Sequence, residues 1–195
     1  MSDAHEQMEH AEHAQHAASE NKKIALLIAI LALFLSFSET VGKGAQTEAV
    51  DANVKAADTW AFYQAKDTRR TVVTAAADQT ALLAAGVSDA AAKAAMEKQI
   101  ATWRQAASRY ESDPKTGRKE LAKRARRQEE ERDLALAKYH HYELASAAFQ
   151  IGIVLSSATV ITGIAALAWG AGVLGVLGLG LLALGLFAPY AIPLL

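Results

Sequence analysis

The last quarter of the chain, from Phe149 to Leu195, contains no charged side chain. As one helix these 47 residues would extend about 70 Å, twice the roughly 30 Å hydrocarbon core of a bilayer. The segment therefore predicts two membrane crossings, which we place at residues 149–168 and 172–190. We expect the turn between them at Ala168–Gly172, where a tryptophan suits the interface and two glycines allow a tight hairpin.

An earlier apolar segment predicts a third crossing. Ile24 to Ser38 is uncharged and is preceded by two lysines. Fifteen residues fall short of the roughly 20 that a spanning helix needs, so we extend the span to 24–42 and place Glu39 at the interface. The alternative is a cleavable signal peptide. Because no small-x-small cleavage site follows the apolar core, an uncleaved anchor is favoured.

The last predicted span carries a face of small residues. Gly175, Gly178 and Gly185 lie with Ala171 in a sector of about 80° on a helix. Such a face lets another helix pack closely. That helix is either the preceding span of the same chain or a helix of a second copy. The second alternative would make the protein a homo-oligomer.

Residues 43–148 differ in composition from these spans. They hold 18 Lys/Arg, 15 Asp/Glu and one proline, and they are rich in residues that favour long helices. We expect helix ends at Ala85, where Gly86 follows, and in Ser112–Gly117, with Asp89 starting the second helix.

We expect Asp113–Pro114 to start a third helix that continues without a break into the second span. Because no heptad pattern persists, a helical hairpin or small bundle is favoured over a parallel coiled coil. The predicted fold is all-α, with three transmembrane helices and an extramembrane helical domain between spans one and two.

The N-terminal tail, residues 1–23, is rich in histidine and glutamate. Imidazole and carboxylate four residues apart on a helix can chelate a divalent ion such as Zn, Ni, Cu or Fe. The alternative is a polar tail whose Glu–His pairs support a helix. The candidate metal ligands are His5, Glu9, Glu12, His13 and His16.

Two groups of side chains with aromatic rings are candidates for a functional role, the first in recognition and the second in pH sensing. Trp60, Phe62 and Tyr63 precede several cations, and Trp60 and Tyr63 share a helix face, which favours helix packing over a ligand site. His140 and His141 precede the second span, where they either sense pH or belong to an interfacial belt of amphipathic side chains.

Five segments, spread over nearly the whole chain, together resemble the bacterial domain-of-unknown-function family 4337. They are the N-terminal run Met1–His5 with the His-Ala-Glu-His repeat after it, Asn21–Ala29, Ser38–Thr40, Trp60–Lys66 with Arg69, and Gln150–Leu155. The resemblance implies a bacterial inner-membrane protein without an assigned activity, and it supplies no catalytic residue.

The sequence gives no sign of an active site. It has no cysteine, no recognisable Ser/His/Asp grouping, no phosphate-binding glycine loop and no paired intramembrane carboxylates. The basic run Lys115–Arg127 is followed by three glutamates, which favours a solvated helix face over nucleic-acid binding.

We therefore expect a non-enzymatic, self-associating membrane scaffold that binds other, unidentified proteins. The alternative is a metal- or pH-responsive membrane protein, accessory to transport, that uses the histidine tail. Lys22 and Lys23 before the first span favour a cytoplasmic N-terminus and a periplasmic helical domain.

Overall fold

The structure is a computed structural model that describes the backbone of residues 2–191 and the side chains of residues 22–191. This part of the chain consists of four α-helices and has no strand, which confirms the all-α expectation. The helices are α1 (Ser2–Ala85), α2 (Ala90–Ser112), α3 (Arg118–Thr162) and α4 (Ala165–Phe187).

The chain divides into two compact units. The apolar unit comprises Met1–Glu48 and Leu134–Leu195, and the polar unit comprises Ala49–Asp133. Three helices, α1 from Lys22 onward, α3 and α4, are long and apolar enough to cross a membrane. The 23 residues of α4 alone extend about 35 Å, more than the hydrocarbon thickness of a bilayer.

The core of the apolar unit forms where α1, α3 and α4 meet. Leu31, Phe149 and Leu182, one from each helix, belong to a single buried cluster. The ring of Phe149 stacks on Phe34 with centroids 6.0 Å apart. Ser38 Oγ donates a hydrogen bond of 2.9 Å to the carbonyl of Tyr142, so the one fully buried hydroxyl of α1 among the described side chains is satisfied.

The turn between α3 and α4 lies earlier than the sequence predicts. It is formed by Gly163 and Ile164, and residues 168–172 are helical. Gly163 has a φ of 69°, a left-handed conformation that favours glycine. The predicted turn at Ala168–Gly172 is therefore wrong: these residues lie within α4, where Ala171 is fully buried against the other helices.

The first break in the polar unit lies where the sequence predicts it, and α2 begins at Ala90, one residue later than predicted. Helix α1 ends at Ala85, and Asp89 is the N-cap of α2. The Asp89 carboxylate accepts a hydrogen bond of 3.0 Å from the backbone N–H of Ala91, which satisfies a donor that the first turn leaves free.

The second break lies in the predicted interval but has a different structure. Asp113 is the C-cap of α2, and α3 begins only at Arg118. The Asp113 carboxylate accepts hydrogen bonds from the backbone N–H groups of Lys115 (2.9 Å) and Thr116 (2.7 Å). The expectation that Asp113–Pro114 starts the third helix is wrong, since this carboxylate closes a turn instead.

Gly117 completes that turn by close approach. A Cβ at this position would lie 2.5 Å from the backbone nitrogen of Asp113 and 2.6 Å from its carbonyl oxygen. No side chain fits there. From Arg118 to Thr162 the helix is continuous, as the absence of glycine and proline in 134–150 predicts.

Candidate functional site

The glycine face of α4 is occupied by the same chain. A Cβ at Gly175 would lie 2.9 Å from Leu31 Cδ2, and one at Gly185 would lie 2.5 Å from Tyr142 Cε1. These contacts seat α4 on α1 and α3. Gly175, Gly178 and Gly185 therefore all pack against helices of the same chain within the apolar unit, and none of them is accessible to a second copy.

The outer surface of α1 has two different sectors within the apolar unit. Large side chains occupy one, namely Leu26, Ile30, Leu33 and Phe37, which are all exposed. The neighbouring sector, about 80° wide, carries exposed small residues and ends at a carboxylate; its members are Ala25, Ala29, Ala32, Ser36 and Glu39. We call this second sector the small face of α1.

A polar pair lies at the end of the small face. Gln150 Nε2 on α3 donates a hydrogen bond of 3.3 Å to Glu39 Oε1, and both side chains are exposed. Glu39 follows Lys23 by 16 residues, which corresponds to about 24 Å along a helix. Gln150 precedes Thr162 by 12 residues, or about 18 Å. Measured from Lys23 and Thr162, a layer of roughly 30 Å would cover both groups, with Gln150 in its interior and Glu39 near its far side, close to the interface position that the sequence predicts.

Among the described side chains of the apolar unit, the imidazole of His141 is buried. It is 1% exposed, and its Nε2 lies 3.1 Å from the carbonyl oxygen of Pro189. Since a carbonyl only accepts, Nε2 carries the proton of this bond, and Nδ1 has no hydrogen-bond partner among the described residues. The contact ties α3 to the segment after α4. His140, beside it, is half-buried and its ring centroid lies 5.8 Å from that of Tyr139.

Two aromatic side chains of α1 in the polar unit, Trp60 and Tyr63, contact α3. Trp60 Nε1 donates a hydrogen bond of 2.8 Å to Glu129 Oε1, and its ring packs edge-on against Tyr63 at 5.3 Å. Phe62 is exposed and lies under the ammonium of Lys66, 5.4 Å from Nζ to the ring centroid. Trp60 is half-buried, which is less than the full burial that a core tryptophan has.

Arg118 is the centre of this polar unit's ion-pair network. Its guanidinium donates a hydrogen bond of 2.6 Å to the Tyr63 hydroxyl and one of 2.8 Å to Glu111 Oε2. Its Nε lies 3.1 Å from Asp67 Oδ1. The side chain is 18% exposed. The hydrogen bond to Tyr63 is the main cause that raises the pKa of Arg118 above its ordinary value. Arg118 thereby joins α1, α2 and α3.

The sequence did not single out Arg118. It is one of seven basic residues in Lys115–Arg127, a run that we interpreted as a solvated face. Only its position directly after Gly117, at the start of α3, distinguishes it from the others. For Arg124 and Arg126, which are exposed, the solvated interpretation agrees with the structure.

No group of three or more His, Cys, Asp or Glu that could hold a metal ion occurs among the described side chains. The candidate ligands in the N-terminal tail lie outside those side chains. They are His5, Glu9, Glu12, His13 and His16.

Comparison with curated proteins and with solved structures gives no match to this chain. Comparison with protein families gives one: the family described as Domain of unknown function (DUF4337) matches residues 20–188. This range contains all three apolar helical segments, the polar unit between them, and the Trp60 and Gln150 segments on which the resemblance rests. The chain is therefore a member of the DUF4337 family, to which no activity is assigned.

Proposed function

We propose that this protein is a three-span membrane protein that self-associates through the small face of α1 and acts as a non-enzymatic scaffold. The spans are residues 24–42 of α1, about 143–162 of α3, and Ala165–Phe187. The polar unit lies outside the bilayer, where it offers helix surfaces to other proteins. We place the protein in the bacterial inner membrane, with the N-terminus cytoplasmic because Lys22 and Lys23 precede the first span.

The observation that carries self-association is the exposed pair of Glu39 and Gln150. Polar and charged groups at membrane depth nearly always face a protein interior or an aqueous cavity. In one copy this pair faces outward from the apolar helices. A second copy packed on the small face would remove both groups from lipid.

The chemistry of the small face supports close contact. Alanine and serine at intervals of three and four residues allow helix backbones to approach, and this approach gains packing energy without a hydrophobic drive in lipid. Ala29, Ala32 and Ser36 provide such a series on the exposed side of α1. The glycine face does not contribute, since α4 uses it within the chain.

The metal- or pH-responsive alternative stays a prediction from the sequence. It depends on the histidine tail, whose side chains lie outside those that the structure describes. Titration of the full-length protein with Zn²⁺, followed by calorimetry, checks it against a variant with His5, His13 and His16 replaced by Gln.

Mass measurement in nanodiscs tests self-association. We expect the wild-type assembly to contain more than one copy of the chain. The assembly of Ala32→Phe should have a smaller mass, because the phenylalanine ring would keep the two α1 helices apart. Leu33→Phe is the matched control, since Leu33 lies in the large sector of α1 and is 68% exposed. A monomeric wild type, or equal effects of the two variants, would overturn the proposed interface.

Single-cysteine labelling tests the three spans, because the chain has no cysteine of its own. Cysteines at Ser2 and at Ile164, in the α3–α4 turn, should react with an impermeant reagent from the same side of the membrane. A cysteine at Ser108 on α2 should react from the other side. Labelling of Ile164→Cys and Ser108→Cys from one side would exclude the three-span arrangement.

A further inference from the structure

A groove opens in the apolar unit at the end that contains Lys23 of α1 and the turn between α3 and α4. Its volume is about 1200 Å³, and α1, α3 and α4 all contribute to its lining. The side chains on which the following argument rests are Lys23, Thr162, Trp169, Val173, Val176 and Leu177. Its size exceeds the roughly 300–1,000 Å³ of ordinary small-molecule pockets.

The wall of this groove is a second apolar face of α4. Ala168, Gly172 and Val176 follow one another at intervals of four residues and therefore lie on one side of the helix. This side differs from the glycine face that packs on α1 and α3. The described residues leave most of it uncovered: Trp169 is 79% and Val176 is 70% exposed.

The mouth of the groove is cationic. Lys23 is the charged side chain of its described lining, which contains no carboxylate, and Lys22 is exposed beside it in the sequence. The hydroxyl of Thr162 already donates to the carbonyl of Ala158 and accepts from the N–H of Ile164. Lys23 is thus the group of this mouth that has no partner in the described chain and can pair with an incoming anion.

We propose that the groove binds an anionic phospholipid, with the phosphate at Lys23 and one acyl chain along Val173, Val176 and Leu177. This inference rests on the proposed insertion of the apolar helices in a bilayer. An apolar wall with a cation at one end matches the two parts of such a lipid, and basic pockets between transmembrane helices are typical sites for anionic headgroups. Trp169 at the mouth lies where indole rings favour the headgroup level.

Quenching of tryptophan fluorescence by brominated lipids tests this site in the full-length protein. Trp169 lines the groove, whereas Trp60 and Trp103 belong to the polar unit. The protein is reconstituted into phosphatidylcholine vesicles that contain equal fractions of either dibromo-phosphatidylglycerol or dibromo-phosphatidylcholine. We expect about a fivefold preference for the anionic lipid, the size of effect that one lysine produces at an anionic surface.

Two matched pairs of variants locate the preference. Lys23→Gln should abolish it, whereas Lys22→Gln should retain it. Gly172→Leu should also abolish it by filling the groove, whereas Gly180→Leu should not, because Gly180 lies outside the lining. A Cβ at either glycine meets no atom within 4 Å, so both variants are expected to fold, and the helical circular dichroism signal checks this.

The outcomes separate the site from the membrane insertion on which it rests. Equal quenching by the two brominated lipids would overturn the site and leave insertion intact. An equal loss of preference in Lys22→Gln and Lys23→Gln would also overturn it, since it would show general attraction to the surface. No quenching by either lipid would overturn both the site and the proposed insertion.

Discussion

Gly178 on α4 lies directly against the ring of Phe149 on α3. A Cβ at Gly178 would come within 2.7 Å of Cε1 and 2.9 Å of Cζ of that ring. Phe149 is fully buried and also stacks on Phe34 of α1. A single aromatic side chain therefore fixes the distances among all three apolar helices, and glycine at 178 is a requirement of the packing.

Gly178→Ala is expected to destabilise the apolar unit by about 1–3 kcal/mol, the usual cost of overpacking a close-packed core. Gly180→Ala is the matched control on the same helix, since a Cβ there meets no atom within 4 Å. Thermal unfolding of both variants in the same detergent measures the difference. Equal melting temperatures would show that α4 does not approach Phe149 as closely as described.

Arg118→Lys is expected to destabilise the polar unit by about 2–3 kcal/mol, because an ammonium cannot replace the several directed hydrogen bonds of a guanidinium to charged partners. Arg126→Lys, at an exposed position of the same helix, should change stability by less than about 0.5 kcal/mol. Urea unfolding followed by circular dichroism checks both values. If the two substitutions cost the same, the contacts of Arg118 with Tyr63 and Glu111 contribute no more than a surface charge.

Trp60→Ala is expected to cost about 2 kcal/mol, less than the roughly 3–5 kcal/mol of a fully buried aromatic, because Trp60 is half-buried. Trp60→Phe isolates the hydrogen bond to Glu129 and should cost about 1 kcal/mol. Phe62→Ala is the control, since Phe62 is exposed, and its effect should be smaller than that of either Trp60 variant. Chemical unfolding measures all three, and a larger effect of Phe62→Ala would contradict the assignment.

Stability of the turn after α2 is expected to fall in acid. Hydrogen bonds from the backbone N–H groups of Thr116 and Lys115 lower the pKa of Asp113 below its ordinary value. The pKa of Asp113 is therefore lower in the folded than in the unfolded state. The stability that its carboxylate contributes is fully present above the unfolded-state pKa of about 4, and it is lost as the pH falls through the folded-state pKa.

Asp113→Asn checks this contribution. The amide oxygen still accepts hydrogen bonds but does not titrate, so the variant should lose less stability than the wild type between pH 7 and acid. Asp78→Asn, at an exposed position of α1, should follow the wild type. The urea midpoint of unfolding, measured for each protein over this pH range, tests the prediction. If the midpoints of Asp113→Asn and the wild type fall in parallel with pH, the lowered pKa of Asp113 is contradicted.

Much of the architecture follows from local patterns in the sequence. The uncharged segments predict the apolar helices, because charged side chains are costly in lipid. The end of α1 at Ala85 and the Asp89 cap follow from backbone groups that only particular residues satisfy. The passage of α3 from the polar into the apolar unit without a break follows from the lack of glycine and proline in residues 134–150, since these are the residues that interrupt helices.

The role of each small residue depended on the tertiary structure. Glycine suits both a turn and a close helix contact, so the sequence does not show whether Gly163 or Gly170–Gly172 forms the turn. It likewise leaves open whether Gly178 contacts the same chain or a second copy. The position of the Phe149 ring decides this, since close packing leaves no room for another helix on that face.

Composition and local patterns are enough to identify the type of each segment, namely three helical segments apolar enough for a bilayer and a polar helical unit between the first two, and they also identify the family. Which side chains meet depends on the tertiary structure. Arg118 is one of seven similar cations in its run, and Glu39 is separated from Gln150 by 111 residues. Helical periodicity gives the face of one helix on which a residue lies, but the contacts between helices depend on how three surfaces fit together, and no local pattern encodes that fit.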